Sequence, residues 1–210
     1  LDTIVFDMDG VIIDSEPAWR KADASLLKSH GAVFNDELFD SLLGKSMVES
    51  SKIMMEWFGI TADANEWAKE RVRLVKGAYE EVKFVTGFEM FYSKVSGKYK
   101  TCVATSSPPE IVDVVGRTLG LFELFEGNVF SASMVNNASK PDPALFLYAA
   151  KKLKSKPSTC LVVEDAPNGV LAARNAKMKC VAITTSVSRE KLAGADLIVD
   201  SFGEINLALL

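Results

Sequence analysis

The stretch Thr3-Ile4-Val5-Phe6-Asp7-Met8-Asp9-Gly10 carries the reading of the fold: a short β-rich run stops abruptly on two acids and a glycine. Continuous apolarity over four or five residues suits a strand buried on both faces, as in a parallel sheet. Similar runs follow at Thr101 to Ala104, Asn128 to Phe130, Thr159 to Val163 and Cys180 to Thr184, with Leu197 to Val199 as a sixth candidate. Between them, Pro108 to Leu119, Pro143 to Leu153 and Pro167 to Ala176 carry apolar residues at three-to-four spacing, with Pro near two of the starts. Strand alternating with helix predicts an α/β protein built on a doubly wound, Rossmann-like parallel sheet.

From about Ser15 to Lys83 the pattern changes to helical periodicity without a convincing strand. Trp19, Ala22, Leu26 and Leu27 mark one helix, Phe39, Leu42 and Leu43 a second, and Ile53, Met54 and Phe58 a third. The expectation is an all-α domain over residues 15–83, set into an α/β core made of 1–14 and 84–210.

Composition narrows the function. The chain has 210 residues, 48% apolar and 25% charged, enough to bury a sizeable core, which excludes collagen-like, disordered and disulfide-scaffold classes. A net charge of −4 argues against a nucleic-acid partner, because phosphate-backbone affinity needs a surplus of Lys and Arg. No apolar stretch approaches the roughly 20 residues of a membrane helix, so no membrane partner is expected. Cys102, Cys160 and Cys180 sit in apolar runs without metal-type spacing, which reads as buried reduced thiols in a cytoplasmic protein. His30, the lone histidine, reads as a surface residue. The expected oligomeric state is a monomer, with a dimer as the alternative.

The chemistry gathers at strand ends. Residues two apart on an extended chain point the same way, so Asp7 and Asp9 converge at the carboxyl end of the first strand, where ligands of open α/β sheets bind. Taken alone, two such acids also suit a solvated turn with Gly10 at positive φ. Thr105-Ser106-Ser107 offers hydroxyls and N–H groups before a helix, a place that binds anions and equally one where Ser and Thr serve as caps. Ser139-Lys140-Pro141-Asp142-Pro143 sets one lysine in a proline-restricted segment, although a lone lysine is usually a solvated charge. Glu164-Asp165 ends another apolar strand. Carboxylates ending two strands repel where they meet and call for a cation; with only oxygen ligands on offer, Mg²⁺ is the expected cofactor.

Asp7-Met8-Asp9-Gly10-Val11, Thr105, Lys140 and Glu164-Asp165 resemble, in order and in strand context, the four motifs of the haloacid dehalogenase superfamily of phosphotransferases. The resemblance covers essentially the whole chain, and the long gap between Asp9 and Thr105 leaves room for a helical cap. The branch it looks most like is the β-phosphoglucomutase-like group, which includes sugar-phosphate phosphatases. Its similar stretches are Asp7 to Pro17, Leu43-Gly44-Lys45-Ser46, Ser139 to Pro143 and Val162 to Gly169.

The resemblance implies that Asp7 is the nucleophile and Asp9 the general acid and base. It implies a Mg²⁺ site made by the Asp7 and Asp165 side chains and the Asp9 carbonyl, with Glu164 acting through water or by orienting the site. Thr105, the N–H groups of Met8 and Ser106, and Lys140 would hold the phosphoryl oxygens. Trp19, Lys45, Ser46 and Glu16 would read the rest of a small phosphorylated metabolite. Trp19 as helix core and Ser46 as an N-cap boxed by Glu49 are the structural alternatives.

Mutases of this group usually have His where Trp19 stands and Arg where Met47 stands, so a phosphatase is expected and a phosphosugar mutase is the alternative. Asp14-Ser15-Glu16-Pro17 beside Trp19 looks more like hexitol-phosphate and 2-deoxyglucose-6-phosphate phosphatases. Lys45 as a Schiff-base lysine, as in phosphonoacetaldehyde hydrolases, conflicts with the presence of Asp9. A non-catalytic binding module is the reading from another class.

Overall fold

The structure, a computed structural model, describes residues 1–42 and 45–209. Leu43, expected on the second helix, and Gly44, both in the Leu43-Gly44-Lys45-Ser46 stretch, lie outside the described residues.

Strands β1 (Thr3–Phe6), β2 (Lys100–Thr105), β3 (Val129–Ser131), β4 (Cys160–Glu164), β5 (Lys179–Ile183) and β6 (Leu197–Val199) form one sheet in the order β3-β2-β1-β4-β5-β6. Every pairing is parallel. The sixth run is therefore a strand, and the α/β class and doubly wound sheet are as expected. Successive strands are added outward from β1 in both directions, so the carboxyl end of β1 is the crevice where the winding reverses.

The first connection runs through α1 (Glu16–Ser29), α2 (Asp36–Leu42), α3 (Met47–Phe58), α4 (Ala64–Lys76), a 3-10 turn at Ala78–Glu81 and α5 (Phe88–Val95). Helices α6 (Pro109–Leu119), α7 (Leu121–Leu124), α8 (Ala144–Lys152) and α9 (Pro167–Asn175) belong to the later crossovers. Alternation along each strand divides the core. Ile4, Phe6, Val103, Leu161, Val163 and Val181 face α5 and α6, whereas Val5, Cys102, Ala104, Cys160, Val162 and Cys180 face α8 and α9. Phe6, fully buried, meets Phe88 and Phe91 of α5 edge-on at 5.8 and 6.2 Å between ring centroids. Each such side chain contributes about 1.5–3 kcal/mol by leaving water. The three cysteines are free and buried in this core.

The insert has its own apolar centre of Leu26, Leu27, Leu38, Leu42, Met54, Met55 and Trp67. His30 is exposed as expected, although its ring lies 4.6 Å from that of Trp67. Ser46 caps α3 through its hydroxyl, which accepts Glu49 N–H at 3.3 Å. Asp63 caps α4 by accepting the N–H groups of Asn65 and Glu66. Inside the insert, Arg71 donates twice to Asp23, at 2.7 and 2.9 Å, and once to Ser50 Oγ at 2.5 Å. All three residues are buried.

The insert's two connectors run side by side. Asp14 N–H donates to Lys83 C=O at 3.0 Å and Val85 N–H to Ile12 C=O at 2.9 Å. Among the described residues, no helix is long and apolar enough to cross a membrane.

Candidate active site

The parallel register sets the first acids. Phe6 pairs with Val103 and Val163, and Asp7 N–H donates to Val163 C=O at 3.0 Å, so Asp7 emerges level with Glu164 on the neighbouring strand. The chain then turns sharply: Ile12 and Ile13 N–H both donate to Met8 C=O, and Gly10 has φ 75°. Gly10 permits a close approach, because a Cβ there would lie 2.0 Å from Asp165 Oδ2. Asp165 thereby reaches over the Asp7–Asp9 loop, where Ser186 Oγ also donates to it.

Lys140 is 3% exposed, and its Nζ lies 2.5 Å from both Asp7 Oδ1 and Glu164 Oε1. Glu164 Oε2 accepts the N–H groups of Asp165 and Ala166 at 2.9 and 3.0 Å. Glycine at 169 leaves room for that carboxylate, since a Cβ would fall 1.8 Å from Glu164 Oε1. Glu164 thus engages Lys140 and the two residues that precede α9.

Three buried carboxylates face one ammonium. Burial pushes Asp7 up to about 7 despite the attraction of Lys140, with Glu164 and Asp9 adding repulsion. Burial likewise lifts Asp165 well above the carboxylate range, helped by the charges of Glu164 and Asp7. Lys140 moves up although burial opposes it, because Asp7 and Glu164 favour the ammonium. The cluster is short of positive charge. Among the described residues no three His, Cys, Asp or Glu side chains form a ready metal cage. Two desolvated carboxylates are nonetheless hard oxygen donors, and such a pair fits a divalent cation that completes its shell with water and substrate.

On the β2 side, fully buried Thr105 accepts Ser107 N–H at 3.0 Å through Oγ1, leaving its own proton to donate elsewhere. Ser106 Oγ is a buried atom with no hydrogen-bond partner, and its residue lines the cavity described below. Asp9 accepts hydroxyls from Ser15 at 2.6 Å, Ser107 at 2.6 Å and Tyr79.

A cavity of about 120 Å³ joins these groups to the insert. Asp7, Asp9, Thr105, Ser106, Lys140, Glu164 and Asp165 line its floor, and Glu16, Trp19, Lys45, Met47, Asp23, Ser50 and Arg71 its far wall. Two sequence candidates stand apart. The Met8 side chain is buried in the core, so only its backbone can serve a ligand. Ser46, expected as a substrate reader, caps α3 and donates its N–H to Ser139 Oγ at 2.8 Å; it lines a neighbouring cleft. Within the cavity Glu16 pairs with Arg20 and Lys45 with Glu49. Trp19 packs edge-on against Tyr79 at 5.9 Å, so it is partly helix core and partly cavity wall. Sequence reasoning missed Ser15, Tyr79, Asp23, Ser50, Arg71 and Ser186, which converge from distant segments without a local pattern.

Strand-end acids at the reversal of a parallel sheet, a buried lysine and hydroxyl donors define a hydrolase-type α/β site, and comparison places it. The family model for haloacid dehalogenase-like hydrolases matches residues 1–177, and the chain belongs to that family. It is an enzyme of the phosphoric monoester hydrolase type. It is 30% identical over 208 residues to a Drosophila melanogaster protein named "Probable pseudouridine-5'-phosphatase", spanning 95% of this chain and 89% of that one. A phosphorylated carbohydrates phosphatase of Thermotoga maritima is 30% identical over 188 residues, spanning 84% of this chain and 82% of that one. Among solved structures, a β-phosphoglucomutase of Clostridium difficile is similar with a TM-score of 0.86 at 27% identity, spanning 99% and 94% of the two chains.

Proposed function

We propose that this enzyme is a Mg²⁺-dependent phosphatase of sugar or sugar-alcohol phosphates that works through an aspartyl-phosphate on Asp7. The observation that carries the reading is the Asp7–Lys140–Glu164 arrangement at the carboxyl end of β1, with Thr105 and Ser106 lining the same cavity. Asp7 attacks phosphorus while the bond to the leaving oxygen breaks, and Asp9 gives that oxygen its proton. Asp9 then takes a proton from water as the water attacks phosphorus, the Asp7–phosphorus bond breaks, and phosphate leaves. Thr105, Ser106 and Lys140 stabilise the charge on the transferring oxygens. Asp7, Asp165 and the Asp9 carbonyl would hold Mg²⁺, which when bound offsets the repulsion between these carboxylates and the phosphate.

The helices over 15–83 act as a cap that reads the leaving group. Their cavity wall of Glu16, Trp19, Lys45, Ser50 and Arg71 mixes a ring face with hydrogen-bonding groups, a lining suited to a small polyhydroxylated molecule. The names of the phosphatase relatives support the same substrate class. Likeness to a β-phosphoglucomutase motivates the mutase as second reading, but Met47 lines the cavity where mutases of this group usually have Arg, and the cations on that wall, Lys45 and Arg71, are paired with Glu49 and Asp23.

Glucose 6-phosphate, fructose 1-phosphate, glycerol 3-phosphate and ribose 5-phosphate, each supplied with Mg²⁺, test the proposal through release of inorganic phosphate. Turnover of at least one supports it. For the mutase, β-glucose 1-phosphate with a trace of the 1,6-bisphosphate is the decisive mixture. Accumulation of glucose 6-phosphate without free phosphate would overturn the hydrolase reading.

A further inference from the structure

Asp9 is held by both ends of the insert. Ser15, on the outgoing connector, and Tyr79, on the returning one, donate to the same oxygen, Asp9 Oδ1. Ser107, from the loop after β2, donates to Oδ2 at 2.6 Å. Oδ1 carries two donors and Oδ2 one, so Oδ1 is the anchored oxygen and Oδ2 keeps the greater capacity for proton exchange.

Tyr79 is suited to anchoring. Its side chain is fully buried, its ring is wedged edge-on against Trp19, and its backbone lies in the 3-10 turn at Ala78–Glu81. A phenol ring wedged by packing holds its hydroxyl oxygen at a fixed place. The connectors are also hydrogen-bonded to each other, which ties the position of Tyr79 to that of Ser15.

We propose that Tyr79 is a positioning residue for Asp9, clamping Oδ1 so that Oδ2 delivers its proton to the leaving oxygen. This rests on the reading of Asp9 as the general acid. The clamp matters in proportion to the need for acid catalysis. An alkoxide leaves poorly without a proton, while p-nitrophenolate leaves readily, so loss of the clamp penalises alkyl phosphates selectively.

The test is Tyr79→Phe, which keeps the ring and removes the hydroxyl. For wild type and variant, kcat/KM is measured on p-nitrophenyl phosphate and on the best alkyl phosphate of the four sugar and polyol phosphates above. The ratio of alkyl to aryl kcat/KM cancels the fraction of folded enzyme, so partial misfolding does not imitate the effect. The expected result is a fall of that ratio by about fivefold or more in the variant. A smaller change, or equal losses on both substrates, overturns the positioning role while leaving the phosphatase reading intact. A wild-type enzyme that hydrolyses neither class overturns that reading, and the clamp with it.

Discussion

The α/β core and the helical insert bury charge in opposite ways. Beside β1 the core holds Asp7, Glu164 and Asp165 against a single Lys140, and burial drives the carboxyls of Asp7 and Asp165 upward. In the insert, Arg71 and Asp23 cancel in a two-pronged pair, and Ser50 takes a further guanidinium proton. A buried pair of that kind holds geometry at little net gain in stability. The uncompensated cluster, in contrast, carries an excess of negative charge that favours a cation. Imbalance marks where chemistry is done, and balance marks what supports it.

The largest effect expected from disturbing this contrast is on the unbalanced side. Asp7→Asn should lower p-nitrophenyl phosphate hydrolysis by about a thousandfold or more, because the amide is no nucleophile. The melting temperature should hold or rise, since a desolvated charge is gone. Retention of more than a few per cent of turnover would remove Asp7 from its role. Treatment with EDTA comes next: activity on the same substrate should be lost and return on adding Mg²⁺, and full activity in the chelator would contradict the cation the cluster is short of.

On the balanced side, Arg71→Leu strands Asp23 and should cost about 3–5 kcal/mol in urea unfolding. The double variant Asp23→Leu, Arg71→Leu should recover most of it; failure to recover would mean that the pair does more than tie helices together.

The smallest effect belongs to the surface. Burial acts against the Asp196 carboxylate, but hydrogen bonds from Lys179 and the Cys180 N–H hold it below its usual range. Its folded value being depressed, its contribution is fully present above the unfolded value and fades as acid carries the pH down through the folded one. Asp196→Asn should therefore cost under about 1 kcal/mol at neutral pH and almost nothing near pH 2, as read by denaturation at the two acidities.

The same division explains what could be read from the chain. Strands β1, β2, β4 and β5 are apolar runs whose residues face helices on both sides of the sheet, so local composition betrays them, and their ends point to Asp7, Asp9, Thr105 and Glu164-Asp165. Helix α4 escaped because its inward positions include Arg71 beside Trp67, Ala68 and Val75, and a charge on the buried face interrupts the apolar stripe. Its partner Asp23 is 48 residues away and leaves no trace in the local pattern. Helix α5 has buried Phe88, Phe91, Tyr92 and Val95 at the right spacing, but eight residues are little more than two turns of signal. The three hydroxyls on Asp9 come from residues 15, 79 and 107, a convergence made by tertiary folding alone.

The pair of hydrogen bonds that lace Asp14 to Lys83 and Ile12 to Val85 has a further consequence. The chain leaves and re-enters the sheet at nearly one point, so the helices between behave as a closed loop whose mouth is already stitched. For such a loop, doubling the enclosed length adds only about 0.6 kcal/mol of closure entropy. In closure entropy alone, the sheet is therefore almost indifferent to how much chain is threaded through that mouth. A graft between these stitches leaves Asp7 where β1 delivers it.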